Sequence, residues 1–517
     1  MNLIRKTWET HKKQFSFIMA ATFFWGLLAH AYRFFNGNFC HDSLTEFHAA
    51  IVGNDIKFRA GRFLVPLYRG LLRSDVTLPW LIGVLCLVWI SLAVFLVARI
   101  FRMENKTLIF LTAGIFTANV TVSAIAATYV HDLDCDMLSL LCAVAAVWLW
   151  QEWKWGWLPG AALLAASMGI YQSFLFTAVT LVMFRCALWL LEKESFWSVL
   201  LRGLKAIAMV LLGGIGYGIA LKLITSVLDF SLYTGGTNTL HAMESITAQN
   251  LFPLIFQTYR DFFTRLWNAP SVYSSTLVRT MTLGLCLISL LAFAAGLRKM
   301  QWKEALLLLV LVILFPLGAH MIYVLSVGAC HDLMVYAIWL FWLLPLLLAD
   351  WMCRNGKSPI ALWPKRLAMV MVALLLYGNV MYANGMYVKK ELEQTSCLSL
   401  MTRVVDRMEQ FEGYVAGETT VVFYGTPPTT KSVIPGFEDY QNVTGMAYNS
   451  PIGTLIQDSY RAYFDYILNI PIALADDDVW NAILESEEAA AMPVYPAEGS
   501  LAMIDGFLVV KLDSIPA

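Results

Sequence analysis

The sequence has few charged residues for its length. Of its 517 residues, 14% are charged and 59% are hydrophobic, and the mean hydropathy is +0.63. A soluble globular domain carries a much larger charged share. The composition therefore excludes an ordinary soluble domain and indicates a membrane protein.

Several common motifs are also missing. The nine cysteines are scattered without CxxC spacing, so neither a zinc site nor a disulfide framework is indicated. The Gly-x-Gly elements of "LLGGIGYG" at 211–218 lie inside an apolar segment, where small residues usually serve helix packing. Nothing in the sequence thus supports an ATP-driven pump, a cytoplasmic sugar-nucleotide enzyme or a nucleic-acid partner.

The sequence does contain many long apolar segments. Segments of roughly 17–25 apolar residues can cross a bilayer. No small-residue cleavage site follows the first one, "FSFIMAATFFWGLLAHAY", so we predict a retained signal anchor. Gly169 allows a break after the fifth segment, and Tyr171-Gln172 predicts a tight turn before the sixth. We predict a polytopic α-helical protein with about eleven transmembrane helices, near residues 15–32, 77–98, 107–127, 136–150, 158–170, 172–191, 206–228, 277–297, 304–325, 333–349 and 367–385.

The basic residues predict the orientation of these helices. With the N-terminus inside, the internal stretches carry 18 Lys and Arg residues, whereas 128–135 and 326–332 carry none and 229–276 carries two. The loop at 33–76 has six, but long loops tolerate translocated charge. We predict a cytoplasmic N-terminus and an extracytoplasmic C-terminus.

The composition changes after about residue 385. "VVFYGTP" reads as a strand, "DDDVWNAILESE" as a helix with carboxylates at its positive end, and "SLAMIDGFLVVKL" as a hairpin that turns at Asp505-Gly506. The sequence thus predicts a transmembrane domain at 1–385 and a small extracytoplasmic α/β domain at 386–517.

Three His-Asp pairs fall at predicted external loops or helix ends. They are His41-Asp42, His131-Asp132 and His331-Asp332, in a chain with only eight histidines. All three would face the same compartment, and we expect them to line one external cavity. Each aspartate taken alone is also consistent with a helix cap.

The first external loop offers a candidate base. Asp42 and Glu46 are four residues apart and would share a helix face. A carboxylate at the membrane surface could take a proton from a substrate hydroxyl. The alternative is a capping aspartate on a solvated loop.

The same loop offers cations for an anionic ligand. In "KFRAGRFLVPLYRGLLR", Arg59, Arg62, Arg69 and Arg73 fall on one arc of an interfacial helix, although Pro66 favours a helix that begins there. Guanidinium groups at this depth suit bidentate recognition of a phosphate. General attraction to anionic lipid headgroups is the alternative.

"HDLDCD" at 131–136 is a candidate metal site. Asp132, Asp134 and Asp136 have a spacing that can chelate a hard divalent cation, Mg²⁺ or Mn²⁺. Asp136 begins a predicted transmembrane helix, where an unpaired carboxylate is expensive and indicates function. Capping of that helix would explain one of these aspartates, but hardly three.

Taken together, the motifs resemble a known family. "HDSLTEFHAA", "RAGRFLVPLY", "HDLDCDMLSLLCAV", "GIYQSFLF" and "MPVYPAEGSLAMIDGFLVVKL" resemble the bacterial type II (Gtr-type) glucosyltransferases that modify O-antigen and surface polysaccharides, within the GT-C membrane glycosyltransferase superfold. The first loop reads His-Asp-Ser, without a tandem acidic pair.

The resemblance implies an enzyme of the bacterial plasma (inner) membrane. It would move a sugar, expected to be glucose, from a polyprenyl-phosphate donor to a surface polysaccharide or glycolipid acceptor on the extracytoplasmic face, with inversion. It implies Asp42 as base, with Glu46 as the alternative, and Asp132 and Asp134 as ligands of a metal or of the acceptor. Arg62 would bind the lipid phosphate. The other predicted substrate-binding residues are Arg59, His41, His131, Tyr171, Gln172, His331 and Asp332.

Two other functions compete with this one. A transporter or flippase for a lipid-linked saccharide would place ionisable residues near the membrane midplane between internal repeats, and no repeat is evident. A non-catalytic protein of polysaccharide assembly would tolerate loss of the loop carboxylates.

Overall fold

The computed structural model describes residues 2–37, 39, 41–47, 56–74, 76–233, 240–355, 362–425, 436, 440 and 456–514. The side chains of His41 and Asp42 lie outside this description, as do residues 48–55.

The described residues form mostly helices. Ten are long and apolar enough to cross a membrane, which confirms the polytopic helical fold. Those up to residue 228 are built from α1 (Asn2–Phe35), α5 (Pro79–Ile100), α6 (Lys106–Thr117), α7 (Val120–Thr128), α8 (Leu133–Glu152), α10 (Leu175–Leu191) and α11 (Phe196–Leu228). The later ones are built from α13 (Ser275–Leu297), α14 (Trp302–His320), α16 (Tyr336–Trp339), α17 (Leu343–Asn355) and α18 (Leu362–Glu409).

Shorter helices connect these spans. They are α2 (His41–Thr45), α3 (Ile56–Arg59), α4 (Leu64–Leu72), α9 (Trp157–Ile170), α12 (Ala248–Trp267) and α15 (Ile322–Leu325). Single 3-10 turns lie at Val130–Asp132, Gln172–Phe174, Leu240–Ser245, Asp332–Met334 and Leu340–Trp342.

The fifth predicted span, at 158–170, is not among these ten spans; it is α9, an apolar helix of 14 residues. It returns antiparallel to α8, because Ser139 in the early part of α8 hydrogen-bonds Ser167 near the end of α9 at 2.9 Å. At about 1.5 Å per residue α9 is only ~21 Å long, so the chain turns at Tyr171 short of the level at which α8 begins. A break after Gly169 and a turn at Tyr171-Gln172 were both predicted and are both present.

The C-terminal domain is a small mixed sheet with helices, as predicted. Its strands are β1 (Thr420–Tyr424), β2 (Ala473–Leu474), β3 (Leu501–Ile504) and β4 (Phe507–Lys511), and its helices are α19 (Ile456–Tyr463), which continues as a π-helical turn at Phe464–Leu468, α20 (Asp477–Leu484) and α21 (Glu487–Ala491). The strand order is β2-β1-β4-β3. β1 is parallel to β2 and β4, and β3 and β4 form an antiparallel hairpin that turns at Asp505-Gly506.

One helix joins the two domains. α18 has 48 residues, and its first part packs in the transmembrane core while residues from Cys397 onward pack in the core of the C-terminal domain. The boundary placed at residue 386 falls inside this helix and stays a prediction. Leu44 of α2 is also buried in the C-terminal core, so the first loop lies against this domain.

Candidate active site

The amphipathic helix α4 turns its basic side toward the protein. Leu67, Leu71 and Leu72 are exposed, whereas Tyr68 and Arg69 are buried. Exposed leucines on a helix at the membrane boundary suit a lipid environment. General attraction to anionic headgroups therefore does not account for Arg69.

The second-loop carboxylates lie where that basic side points. Asp132 ends the 3-10 turn before α8, and Asp134 and Asp136 occupy the first turn of α8. They are 1%, 0% and 4% exposed. Because water reaches them so little, ionisation of any of these carboxylates is unfavourable unless neighbouring groups balance its charge.

Ion pairs join one group of side chains, which we call the charge cluster: Glu46, Lys57, Arg62, Arg69, Arg73, Asp132 and Asp134. Four of them form its centre. Asp132 Oδ2 lies 2.6 Å from Lys57 Nζ, and Asp132 Oδ1 lies 2.7 Å from Arg69 Nη2. Glu46 lies 3.3 Å from Lys57 and 3.1 Å from Arg69. Two carboxylates and two cations thus alternate, with each carboxylate paired to both cations.

This pairing limits what Glu46 can do. Its burial raises its pKa, but Lys57, His131 and Arg69 together outweigh this, and the pKa lies below its ordinary value. Burial lowers the pKa of Lys57, but Asp132 and Glu46 raise it more. Both groups are therefore charged near neutral pH, and a carboxylate with a lowered pKa is a weak proton acceptor.

A second pair holds Asp134. Arg73 Nε donates to Asp134 Oδ2 at 2.9 Å, and the Tyr68 hydroxyl donates to the same oxygen at 3.0 Å. Trp89 Nε1 donates to the Tyr68 oxygen at 3.0 Å, and Arg73 also donates to the carbonyl of His131. These bonds fasten the end of α4 to the beginning of α8.

Arg62 is the basic residue of the cluster with the fewest bonds. Its guanidinium stacks 4.4 Å over the ring of Tyr171 and lies 3.7 Å from Asp132, with the side chain 26% exposed. Its Nε has no hydrogen-bond partner among the described residues. Burial lowers the pKa of Arg62, but Tyr171, Asp132 and Asp136 raise it more. Arg62 is thus charged and open to a ligand.

The chain at Gly61 positions Arg62. Gly61 has φ +75°, and its carbonyl accepts a hydrogen bond from the Tyr217 hydroxyl at 3.1 Å. Gln172 donates to Ala60 O at 3.2 Å and to the Tyr217 oxygen at 3.0 Å. Gln172 therefore helps to hold the loop that carries Arg62 in place.

Gly61→Ala is expected to lower the free energy of unfolding by about 1–2 kcal/mol, because an alanine Cβ is strained at positive φ. Thermal unfolding in detergent measures the change. Gly203→Ala is the control, because Gly203 lies inside α11 and a Cβ there meets nothing within 4 Å, so the change should be neutral or stabilising. Equal effects of the two changes would contradict the strained position of Gly61.

The third His-Asp pair lies in another charge network. Asp332 Oδ1 pairs with Arg265 of α12 at 2.5 Å. Arg265 also bonds Asp261 at 2.6 Å, and His320 lies 2.7 Å from Asp261. His331 is exposed.

The expectation of a single cavity for all three His-Asp pairs stays a prediction. The structure places His131 and Asp132 in the charge cluster, and the side chains of His41 and Asp42 lie outside the described residues. Arg59 is exposed and takes no part in the ion pairs of the cluster.

The predicted metal ligands are held by cations. Asp132 is bound by Lys57 and Arg69, and Asp134 by Arg73. In the part of the chain that the structure describes, no group of three or more His, Cys, Asp or Glu side chains could hold a metal ion. The role of Asp132 and Asp134 with Mg²⁺ or Mn²⁺ stays a prediction, and no step below depends on it.

Comparison with known proteins identifies the family of the segment that contains the charge cluster. A sequence model of the family described as Glucosyl transferase GtrII matches residues 31–348, a stretch that contains the charge cluster and Tyr171. No curated protein and no solved structure matches the chain. Because the matched stretch is more than half of the sequence, the chain belongs to the Glucosyl transferase GtrII family.

Proposed function

We propose that the protein transfers glucose from a polyprenyl-phosphate donor to a hydroxyl of a surface polysaccharide or glycolipid on the extracytoplasmic face of the bacterial plasma membrane. The family establishes a multi-pass membrane glucosyltransferase. The donor, the acceptor, the face of the membrane and the inversion of the anomeric centre are parts of the proposal.

The observation that carries the proposal is the position of Arg62. It lies beside the turn at Tyr171 and two residues before helix α4, whose Leu67, Leu71 and Leu72 are exposed. A phosphate attached to a lipid tail can reach such a group from the membrane, with the tail left among apolar side chains. Guanidinium groups bind phosphate oxygens in pairs, and a cation there stabilises the charge that develops as the phosphate leaves.

The reaction also needs a proton acceptor. A carboxylate takes the proton of the acceptor hydroxyl, the hydroxyl oxygen bonds to the anomeric carbon, and the bond to the phosphate oxygen breaks. Asp42 is the proposed base. Glu46 is the weaker choice, because it is already paired with Lys57 and Arg69.

The charges also favour a site at one side of the membrane. Asp132, Asp134 and Asp136 all lie within the first turns of the span at Val130–Glu152, whereas a transport pathway would place such groups near its middle. Periplasmic reporter fusions should be active after residue 514 and inactive after Lys205. The reverse pattern would refute the proposed orientation.

The experiment that tests the function uses proteoliposomes with radiolabelled polyprenyl-phosphate glucose and a polysaccharide extract. The wild type is expected to release polyprenyl phosphate and label the polymer, and Asp42→Asn to do neither while binding the donor. Glu46→Gln serves as the comparison for the base. Movement of intact donor between leaflets without release would identify a flippase.

A further inference from the structure

Asp136 is a buried carboxylate that the ion pairs of the cluster leave out. It is 4% exposed, and no hydrogen bond or ion pair joins it to any residue that the structure describes. It does not cap α8, because the N-cap position is Asp132 and Asp136 lies inside the helix. A buried carboxylate without a partner is unfavourable for folding, which indicates a role in binding.

The charges of the described cluster single out two groups. Asp132 and Glu46 neutralise Lys57 and Arg69, and Asp134 neutralises Arg73. Arg62 and Asp136 then remain, one cation and one carboxylate, each without a hydrogen bond from its charged group to a described residue.

Both groups lie beside the turn at Tyr171. Arg62 stacks 4.4 Å over the Tyr171 ring, and Ser139, which is three residues after Asp136 and on the same face of α8, donates to the carbonyl oxygen of Tyr171 at 3.1 Å. Asp136 is one helical turn, ~6 Å, further along α8 than Asp132, and so lies deeper in the span. A ligand that joins Arg62 to Asp136 must carry an anionic group and a hydrogen-bond donor close to it.

We propose that Asp136 binds a hydroxyl of the glucosyl group of the donor while Arg62 binds its phosphate. A glycosyl phosphate has both required features, since its sugar hydroxyls are donors and a carboxylate is a strong acceptor. Asp136 would thereby select the transferred sugar. This inference rests on the proposed function, and it leaves the role of proton acceptor with Asp42.

The test combines one substitution with altered donors. Polyprenyl-phosphate glucose and its four analogues, each lacking one hydroxyl at position 2, 3, 4 or 6, are compared as donors for wild type and Asp136→Asn. A hydrogen bond between a carboxylate and a hydroxyl corresponds to a factor of roughly 10–100 in kcat/KM. For the wild type, kcat/KM should fall by this factor when one of the four analogues replaces the full donor. For Asp136→Asn, kcat/KM with the full donor should already be lower by this factor, and it should fall little further with that analogue.

Two controls separate this effect from structural damage. Glu152→Gln changes an exposed carboxylate at the other end of α8 and should keep the wild-type preference among the donors. Asp136→Asn should melt no lower than wild type, because Asp136 makes no hydrogen bond or ion pair with a described residue that the change would break. A clearly lower melting temperature would show that Asp136 has a structural partner and would refute the inference.

The outcomes distinguish this inference from the function on which it rests. If wild type uses the full donor but every analogue loses the same factor in both proteins, Asp136 does not bind the sugar and the proposed function stands. If wild type releases no polyprenyl phosphate at all, the proposed function fails and the inference fails with it.

Discussion

Replacement of Arg62 by methionine is expected to reduce kcat/KM for the lipid-linked donor by a factor of about 10²–10³, the usual effect of removing one donor that stabilises a developing oxyanion. The guanidinium is half-buried and charged, and it has no hydrogen bond to any described residue. Its removal therefore breaks no hydrogen bond in that part of the chain, and the loss should appear in catalysis rather than in folding.

Arg62→Lys and Arg298→Met make the measurement specific. Lysine keeps the charge but loses the paired donors and the stacking on Tyr171, so it should recover only part of the activity. Arg298 is exposed at the end of α13 and outside the charge cluster, and its replacement should change kcat/KM less than about two-fold, as for a surface change. Equal effects of Arg298→Met and Arg62→Met would refute the phosphate-binding role.

Asp132→Asn is expected to have the largest effect on stability, about 3–5 kcal/mol in the free energy of unfolding. The change leaves Lys57 and Arg69, which are 5% and 2% exposed, with Glu46 as the carboxylate that they share in the described cluster. Breaking a buried ion pair from one side leaves an uncompensated buried charge. Unfolding of the purified protein in mixed detergent measures the loss.

A second ion pair provides the matched control. Asp350 near the end of α17 pairs with Lys365 at 2.6 Å and Arg354 at 3.0 Å, but the Arg354 side chain is 53% exposed. Asp350→Asn should therefore cost about 1 kcal/mol or less. The double variant Asp132→Asn/Lys57→Met should recover part of the loss, because one unpaired cation is removed with its partner. A loss of less than 1 kcal/mol for Asp132→Asn would contradict the charge cluster.

Local patterns predicted the elements but not the direction in which they face. The arc of arginines in the first loop predicted an amphipathic interfacial helix; α4 is amphipathic, and its place at the membrane interface stays a prediction. Its orientation depends on carboxylates more than 60 residues further along the chain, so the segment itself could not show that Arg69 points inward. The turns at Tyr171 and at Asp505-Gly506 were predicted correctly, because a few neighbouring residues determine each of them.

The pairing of charges was the part that the sequence could not reveal. Lys57 and Asp132 are 75 residues apart, and no pattern in either segment predicts that they form an ion pair. Spacing alone grouped Asp132, Asp134 and Asp136 in one candidate metal site. The fold separates them, because cations hold the first two and leave Asp136 without a bond to any described residue.

The central claim is that glucose leaves a lipid phosphate and joins an acceptor in one reaction. The most direct measurement is the ratio of polyprenyl phosphate released to labelled glucose incorporated by the purified wild-type protein, with and without acceptor. We predict one phosphate released per glucose transferred and almost none released without acceptor. Incorporation of glucose without release of polyprenyl phosphate, or release that does not depend on the acceptor, would contradict the account.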